Sequence, residues 1–177
     1  ANGRLVPPPE YLPKIRRICD EHGVLLILDE VMTGWFRTGP TFAMDHWGIQ
    51  PDIMTTAKGC SAAYPPVAIT ATSQPIADYF EDNILFHGHT YSCHPMVMSV
   101  IPTVIEEYRK LNASGLPERV SRHLKQGLHR LAQKHECIGD VRGLGHFFAL
   151  ELVKNRKTKA PFNTKAERFD GQTVMMT

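Results

Sequence analysis

The segment GVLLILDEVMTG, residues 23–34, constrains the fold of this chain more than any other. Five apolar residues, Val24 to Leu28, run directly into two carboxylates, Asp29 and Glu30. An unbroken apolar run of this length is the pattern of a strand buried on both faces of a parallel sheet. A charge at the end of such a strand is costly unless something pairs with it. Along an extended chain Asp29 and Val31 point to one side and Glu30 to the other, so the two acids meet different surroundings. Ligands in open α/β sheets collect beyond the carboxyl ends of the strands, which is where Asp29 falls.

The flanking segments alternate between helix and strand. PPEYLPKIRRICDEHG reads as a helix with prolines in its first turn, an apolar face of Leu12, Ile15, Ile18 and Cys19, and Gly23 to end it. TGWFRTGP is a glycine-rich loop, followed by a short helical turn from about Phe42 to Trp47. PDIMTTAKG and PVAITAT read as further strands, and Ser73 caps a helix over 74–80. Past FHGHTYSCHP a long helix is expected from Pro95 to Leu111, kinked by Pro102. NASGLP is rich in linker residues and marks a boundary, dividing the chain into 1–112 and 113–177. A charged amphipathic helix, Glu118 to His135, then leads into DVRGLGHFFALELV, a glycine turn and a strand. The tail from Lys154 is polar and lacks apolar periodicity. Helices alternating with buried strands give an α/β sheet, followed by the start of a second layer or domain.

Composition excludes several classes of partner. With 177 residues, 42% of them hydrophobic, the chain is long enough for a core. A net charge of +2 is too small to favour nucleic acid or an anionic membrane. No apolar run approaches the ~20 residues of a membrane span, and ANGRLVPPPEYL lacks the basic-then-apolar pattern of a signal peptide. Cys19, Cys60, Cys93 and Cys137 never fall in C-x-x-C spacing, which argues against zinc or a disulfide framework and for reduced thiols in the cytoplasm. His87, His89 and His94 lack the clustered acids of a metal site. The opening ANGR and the closing VMMT read as the ends of a piece of something longer.

Lys58, at the end of TTAKG, falls at the same sheet rim as Asp29. Spacing alone leaves two readings open. One is a rim salt bridge. The other is a pyridoxal phosphate site, in which a desolvated lysine forms a Schiff base and a buried aspartate keeps the pyridine nitrogen protonated, so that the ring accepts electrons.

The stretch LLILDEVMTGWFRTGPTFAMDHWGIQPDIMTTAKG closely resembles the class III (omega) aminotransferases among the fold type I pyridoxal phosphate enzymes. The match extends from NGRLVPPPEYLPKIRRICDEHG to DVRGLG and beyond, with several motifs in the family's order. It implies the second half of the large domain of a fold type I transferase, a mostly parallel sheet with flanking helices, plus the start of a C-terminal α+β small domain. It also implies transfer of an amino group to a 2-oxo acid. Lys58 matches the Schiff-base lysine, Asp29 the partner of the pyridine nitrogen, and Val31 the residue packed on the ring face. Thr90 matches the threonine that reaches the cofactor phosphate of a neighbouring subunit, which implies a homodimer with sites at its interface. Tyr64 and VKNRKTKAPFN look most like members acting on taurine or β-alanine. A decarboxylase or an aminomutase of the same class would keep Asp29 and Lys58 as well, and an inactive truncated fragment would keep neither activity nor cofactor.

The chain departs from the family pattern too. Phe36, Ala63 and Ala68 stand at positions that are usually glycine, and at positive φ a side chain costs about 1 kcal/mol or more. Met32 replaces a glutamine near the ring oxygen. The family's upstream phosphate loop and Glu-Pro strand have no counterpart here, and its substrate arginine would lie past Thr177. Of the remaining candidates, Arg37 is expected to serve its own loop and Glu30 to make a buried polar pair. Trp35, Phe36 and Trp47 read as packing. RGLG, which precedes a strand instead of following one, is read as a turn in which Arg142 stitches local backbone, not as a dinucleotide fingerprint.

Overall fold

The computed structural model describes residues 4–162. Helix α1, Tyr11–His22, starts after the run of prolines and ends where Gly23 takes φ 62. That left-handed turn lets Val24 N–H donate to the Cys19 carbonyl at 2.9 Å and reverses the chain toward the sheet. Strand β1, Ile27–Asp29, pairs in parallel with β2, Ile53–Ala57, with Ile27 opposite Ile53 and Asp29 opposite Thr55. Strand β3, Ala68–Thr72, lies antiparallel on the other side of β2, giving the order β1-β2-β3. The described part of this sheet is therefore mixed, with β2 at its centre.

The apolar run is less deeply covered than its composition suggests. Leu26 is 8% exposed, but Val24 and Leu25 are each 56% exposed and Ile27 58%. Among the described residues β1 is paired on one side only, so most of the run lacks the neighbours that a central strand has. What fixes the strand is polar. Asp52 Oδ2 accepts from Leu26 N–H and from Arg16 Nη1, both at 2.7 Å, which ties α1 to the start of β1 and β2.

Helix α2, Gln74–Asp82, follows Ser73, whose side chain makes no capping bond; its carbonyl accepts from Ile76 and Ala77 N–H instead. The expected long helix is two pieces, α3 (Pro95–Met98) and α4 (Val100–Ala113). The break at Ser99 lies about one turn ahead of Pro102, whose ring collides with the carbonyl four residues back, that of Met98. Gly115, at φ 67, separates α4 from α5, Leu116–Lys134.

Helix α5 packs on β4, Ile138–Leu144, which pairs antiparallel with β5, Phe147–Asn155. RGLG is thus mostly strand, with the turn at Gly145 and His146. The polar tail also pairs. Asn155 Oδ1 accepts from Lys157 and Thr158 N–H, and the resulting turn returns Ala160–Pro161 as β6 beside β5. Such pairing uses backbone alone, which is why apolar periodicity does not reveal it. Val153, Ile138 and Ala132 form this half's buried core. The β4–β5 turn docks on the loop after β1: His146 N–H donates to the Arg37 carbonyl at 2.9 Å. The Gly145 carbonyl accepts from Ser121 Oγ at 2.7 Å. The expected second unit runs on to residue 177, and its part past 162 lies outside the described residues. Among the described residues no helix is long and apolar enough to cross a membrane.

Candidate active site

Because β1 and β2 are adjacent and parallel, their carboxyl ends lie at one edge of the sheet. Asp29 is the last residue of β1, and Lys58 follows β2 by one residue. Asp29 Oδ1 accepts from Val31 N–H at 2.8 Å, which leaves Oδ2 for a second donor. Asp29 is exposed, not buried as the cofactor reading expected, because β1 lacks a neighbour on its other side among the described residues. Val31 is half-buried and Glu30 buried, so the two acids do face different surroundings. Glu30 is 3% exposed and satisfied, its Oε1 accepting from Met44 N–H at 2.8 Å and its Oε2 from the Thr33 hydroxyl. The rim salt bridge between Asp29 and Lys58 does not form among the described residues. There the Lys58 amine has no hydrogen-bond or ion-pair partner.

Lys58 opens a 3₁₀ turn, Lys58–Ser61, and itself has φ 50. The desolvation expected of this lysine is not seen. Lys58 is exposed, as are Ala62, Ala63 and Tyr64 after it. Lys58, Ser61, Tyr64, Pro65 and Val67 line an open hollow at this rim. Of the three departures at glycine positions, Phe36 and Ala63 both sit at φ 64. Ala68 instead lies in β3, where any residue fits. Thr90 is on an exposed segment between α2 and α3, away from the sheet rim in sequence and flanked by exposed Phe86 and Tyr91. Met32 is 38% exposed.

Several residues matter more than their sequence context showed. Trp35 Nε1 donates to Thr56 Oγ1 at 2.7 Å, and the Thr56 hydroxyl reaches the Glu30 carbonyl at 3.4 Å. A buried tryptophan usually finds a hydrogen-bond acceptor, but nothing local in the sequence pairs Trp35 with a residue 21 positions on. Arg142, expected to hold local backbone, pairs with the carboxylates of Asp140 at 2.8 Å and Glu151 at 2.5 Å. Cys60 is fully buried, and burial pushes its thiol pKa up, which keeps it protonated and a packing group. Arg37, expected to serve its own loop, donates its N–H to the Gly34 carbonyl within that loop at 3.4 Å and offers its carbonyl outward to His146 of the β4–β5 turn. Among the described residues no three histidines, cysteines or acids cluster as a metal site would require.

The family model of Aminotransferase class-III matches residues 1–176. The chain belongs to the class III aminotransferases. Among class III relatives it is 39% identical to the adenosylmethionine-8-amino-7-oxononanoate aminotransferase of Staphylococcus aureus, covering 96% of this chain and 38% of that protein. It is 41% identical to the taurine–pyruvate aminotransferase of Bilophila wadsworthia, over 90% of this chain and 36% of the relative. The fold superimposes on the taurine:2-oxoglutarate aminotransferase of Bifidobacterium kashiwanohense, solved with PLP and glutamate, with a TM-score of 0.88 at 34% identity. That match covers 96% of this chain and 39% of the solved one. The chain thus spans little more than a third of the relatives it matches, and what it carries is a portion of the class III α/β fold.

Proposed function

We propose that these residues belong to an enzyme that moves an amino group from an omega-amino acid or amine, of the taurine or β-alanine class, to a 2-oxo acid with pyridoxal phosphate. The observation that carries this reading is the pairing of β1 with β2, which brings Asp29 and Lys58 to one edge without bonding them to each other. A carboxylate with one open oxygen suits a protonated ring nitrogen, and an uncommitted primary amine suits an aldehyde carbon, so the residues fit the group. When bound, the cofactor supplies an electron sink. Asp29 would hold a proton at the ring nitrogen, and Val31 would cover a ring face. Lys58 Nζ would anchor the cofactor's aldehyde carbon and, once free of it, would move a proton at the substrate carbon.

Thr90 offers its hydroxyl to the phosphate held by a neighbouring subunit. The exposed apolar residues around it, Ile84, Leu85, Phe86, Tyr91 and Met96, support a homodimer interface there. Ser114 and Gly115 support a boundary between a large-domain portion and a small-domain portion. Likeness to taurine aminotransferases and an exposed Tyr64 support the omega-amino class.

The test is chemical. Chain mixed with pyridoxal phosphate and reduced with borohydride is expected to carry the pyridoxyl label at Lys58 ahead of its other lysines. Even labelling of all lysines, or unchanged total label in Lys58→Ala, overturns the site. In the protein that spans the relatives' full length, turnover of taurine or β-alanine with pyruvate or 2-oxoglutarate is expected, and Lys58→Ala abolishes it. The 177 residues alone, little more than a third of such a protein, are expected to turn over neither.

A further inference from the structure

Trp35 and Phe36 are consecutive side chains in the left-handed region, at φ 59 and 64. That conformation is unfavourable for bulky residues and persists only where the surroundings enforce it. Its effect is to lay Trp35 across the turn that begins at Lys58. A Cβ on Gly59 would lie 2.5 Å from Trp35 Cβ and 2.9 Å from Cγ, so only glycine allows this approach. The indole is held by Phe42, edge-on at 5.5 Å, and by Tyr108 of α4, stacked at 6.4 Å. Its Nε1 donates to Thr56 Oγ1 at 2.7 Å, and the Thr56 hydroxyl, on a residue 2% exposed, faces the Glu30 carbonyl at 3.4 Å.

These contacts fall on particular residues. Thr56 is two before Lys58, Gly59 one after it, and Glu30 one after Asp29. We propose that Trp35 and Thr56 are positioning residues: the indole, through the Thr56 hydroxyl, clamps the Lys58 turn to the strand end that carries Asp29. The consequence for catalysis rests on the reading of Asp29 and Lys58 as the cofactor pair; the clamp itself does not. Thr56 donates one hydrogen to the Glu30 carbonyl and accepts one from Trp35, so loss of the hydroxyl breaks both bonds and loss of the indole N–H breaks the outer one.

The test uses the chain with near-isosteric variants. Trp35→Phe keeps the ring and removes the N–H, Thr56→Val keeps the shape and removes the hydroxyl, and Thr56→Ser restores the hydroxyl. Trp47→Phe, which removes an indole bond to the Pro8 carbonyl at 3.3 Å, is the control. Amide hydrogen exchange over 57–61 is expected to quicken about tenfold in Trp35→Phe and in Thr56→Val. The double variant should be no faster than Thr56→Val alone, because without the hydroxyl the indole N–H has no link left to break. Exchange in β4 and β5 should not change, and Thr56→Ser and Trp47→Phe should match the parent chain over 57–61. Borohydride-trapped pyridoxyl label at Lys58, relative to Lys14 on α1, should fall in the two disruptive variants while the unfolding midpoint stays close to the parent's. Unchanged exchange over 57–61 in folded variants, or strictly additive effects, overturns the clamp. Faster local exchange in the two variants, with a parent chain that never labels at Lys58, keeps the clamp and removes the cofactor reading.

Discussion

At φ 64, Phe36 and Ala63 hold side chains where glycine is the unstrained choice, and the two differ in what their side chains return. Phe36 packs at 5.9 Å against Tyr108, whereas Ala63 is exposed. Ala63→Gly is therefore expected to stabilise the chain by about 1 kcal/mol, read as a higher urea midpoint, with Phe36→Gly gaining less or losing. Asp52 gives a prediction of another kind. The Leu26 N–H, followed by the Arg16 guanidinium, holds its carboxyl below the usual carboxylate range. Its contribution is complete above the ordinary value near pH 4 and fades as pH falls through the lowered folded value. Urea midpoints between pH 5 and 2.5 should fall less steeply in Asp52→Asn than in the parent chain. The sequence made the rim positions of Asp29 and Lys58 and the strained positions at 36 and 63 legible, because fixed motifs mark them. Arg16, Asp52, Trp35 and Thr56 were hidden, because each depends on a partner at least 21 residues away and on no local pattern.

Strands and helices were readable where their own residues decide them. α1 announces itself by prolines, an apolar face and Gly23, and β2 by its approach to AKG. β1 was over-read, since an apolar run shows capacity for burial and not the presence of neighbours to bury it. The break before α4 lay ahead of Pro102, since proline acts on the carbonyl one turn behind it. The β4–β5 turn shows why its glycines could not be told apart from sequence. Gly143 sits within the strand, while Gly145, at φ 57, presses on Thr38, where a Cβ would lie 2.4 Å from the Thr38 carbonyl carbon. Gly145→Ala is expected to cost about 2 kcal/mol or more, from strain and overpacking together. Amide exchange at His146 should rise as its bond to Arg37 loosens; an unchanged midpoint and unchanged exchange would show that the turn does not bear on the loop.

Among the described residues a large apolar surface lies uncovered, at β1 and along 84–96. Sedimentation at rising concentration should show self-association of the 177-residue chain, reduced by Phe86→Ser with Tyr91→Ser. A sharp, concentration-independent monomer would count against an interface on that segment. The α/β class was legible from alternation, and the register of the sheet was not, since no residue in β1 names its partner in β2. Yet that register carries a further consequence. Asp29 stands opposite Thr55, three residues short of Lys58. Strand positions advance in steps of about 3.3 Å and alternate faces. The gap between acid and amine is therefore graduated like a ruler in whole residues. Slipping β1 by one notch would change the gap by a full step and present Glu30's side of the strand in place of Asp29's, so the spacing of acid and amine is set in whole steps and cannot drift gradually from one length to another.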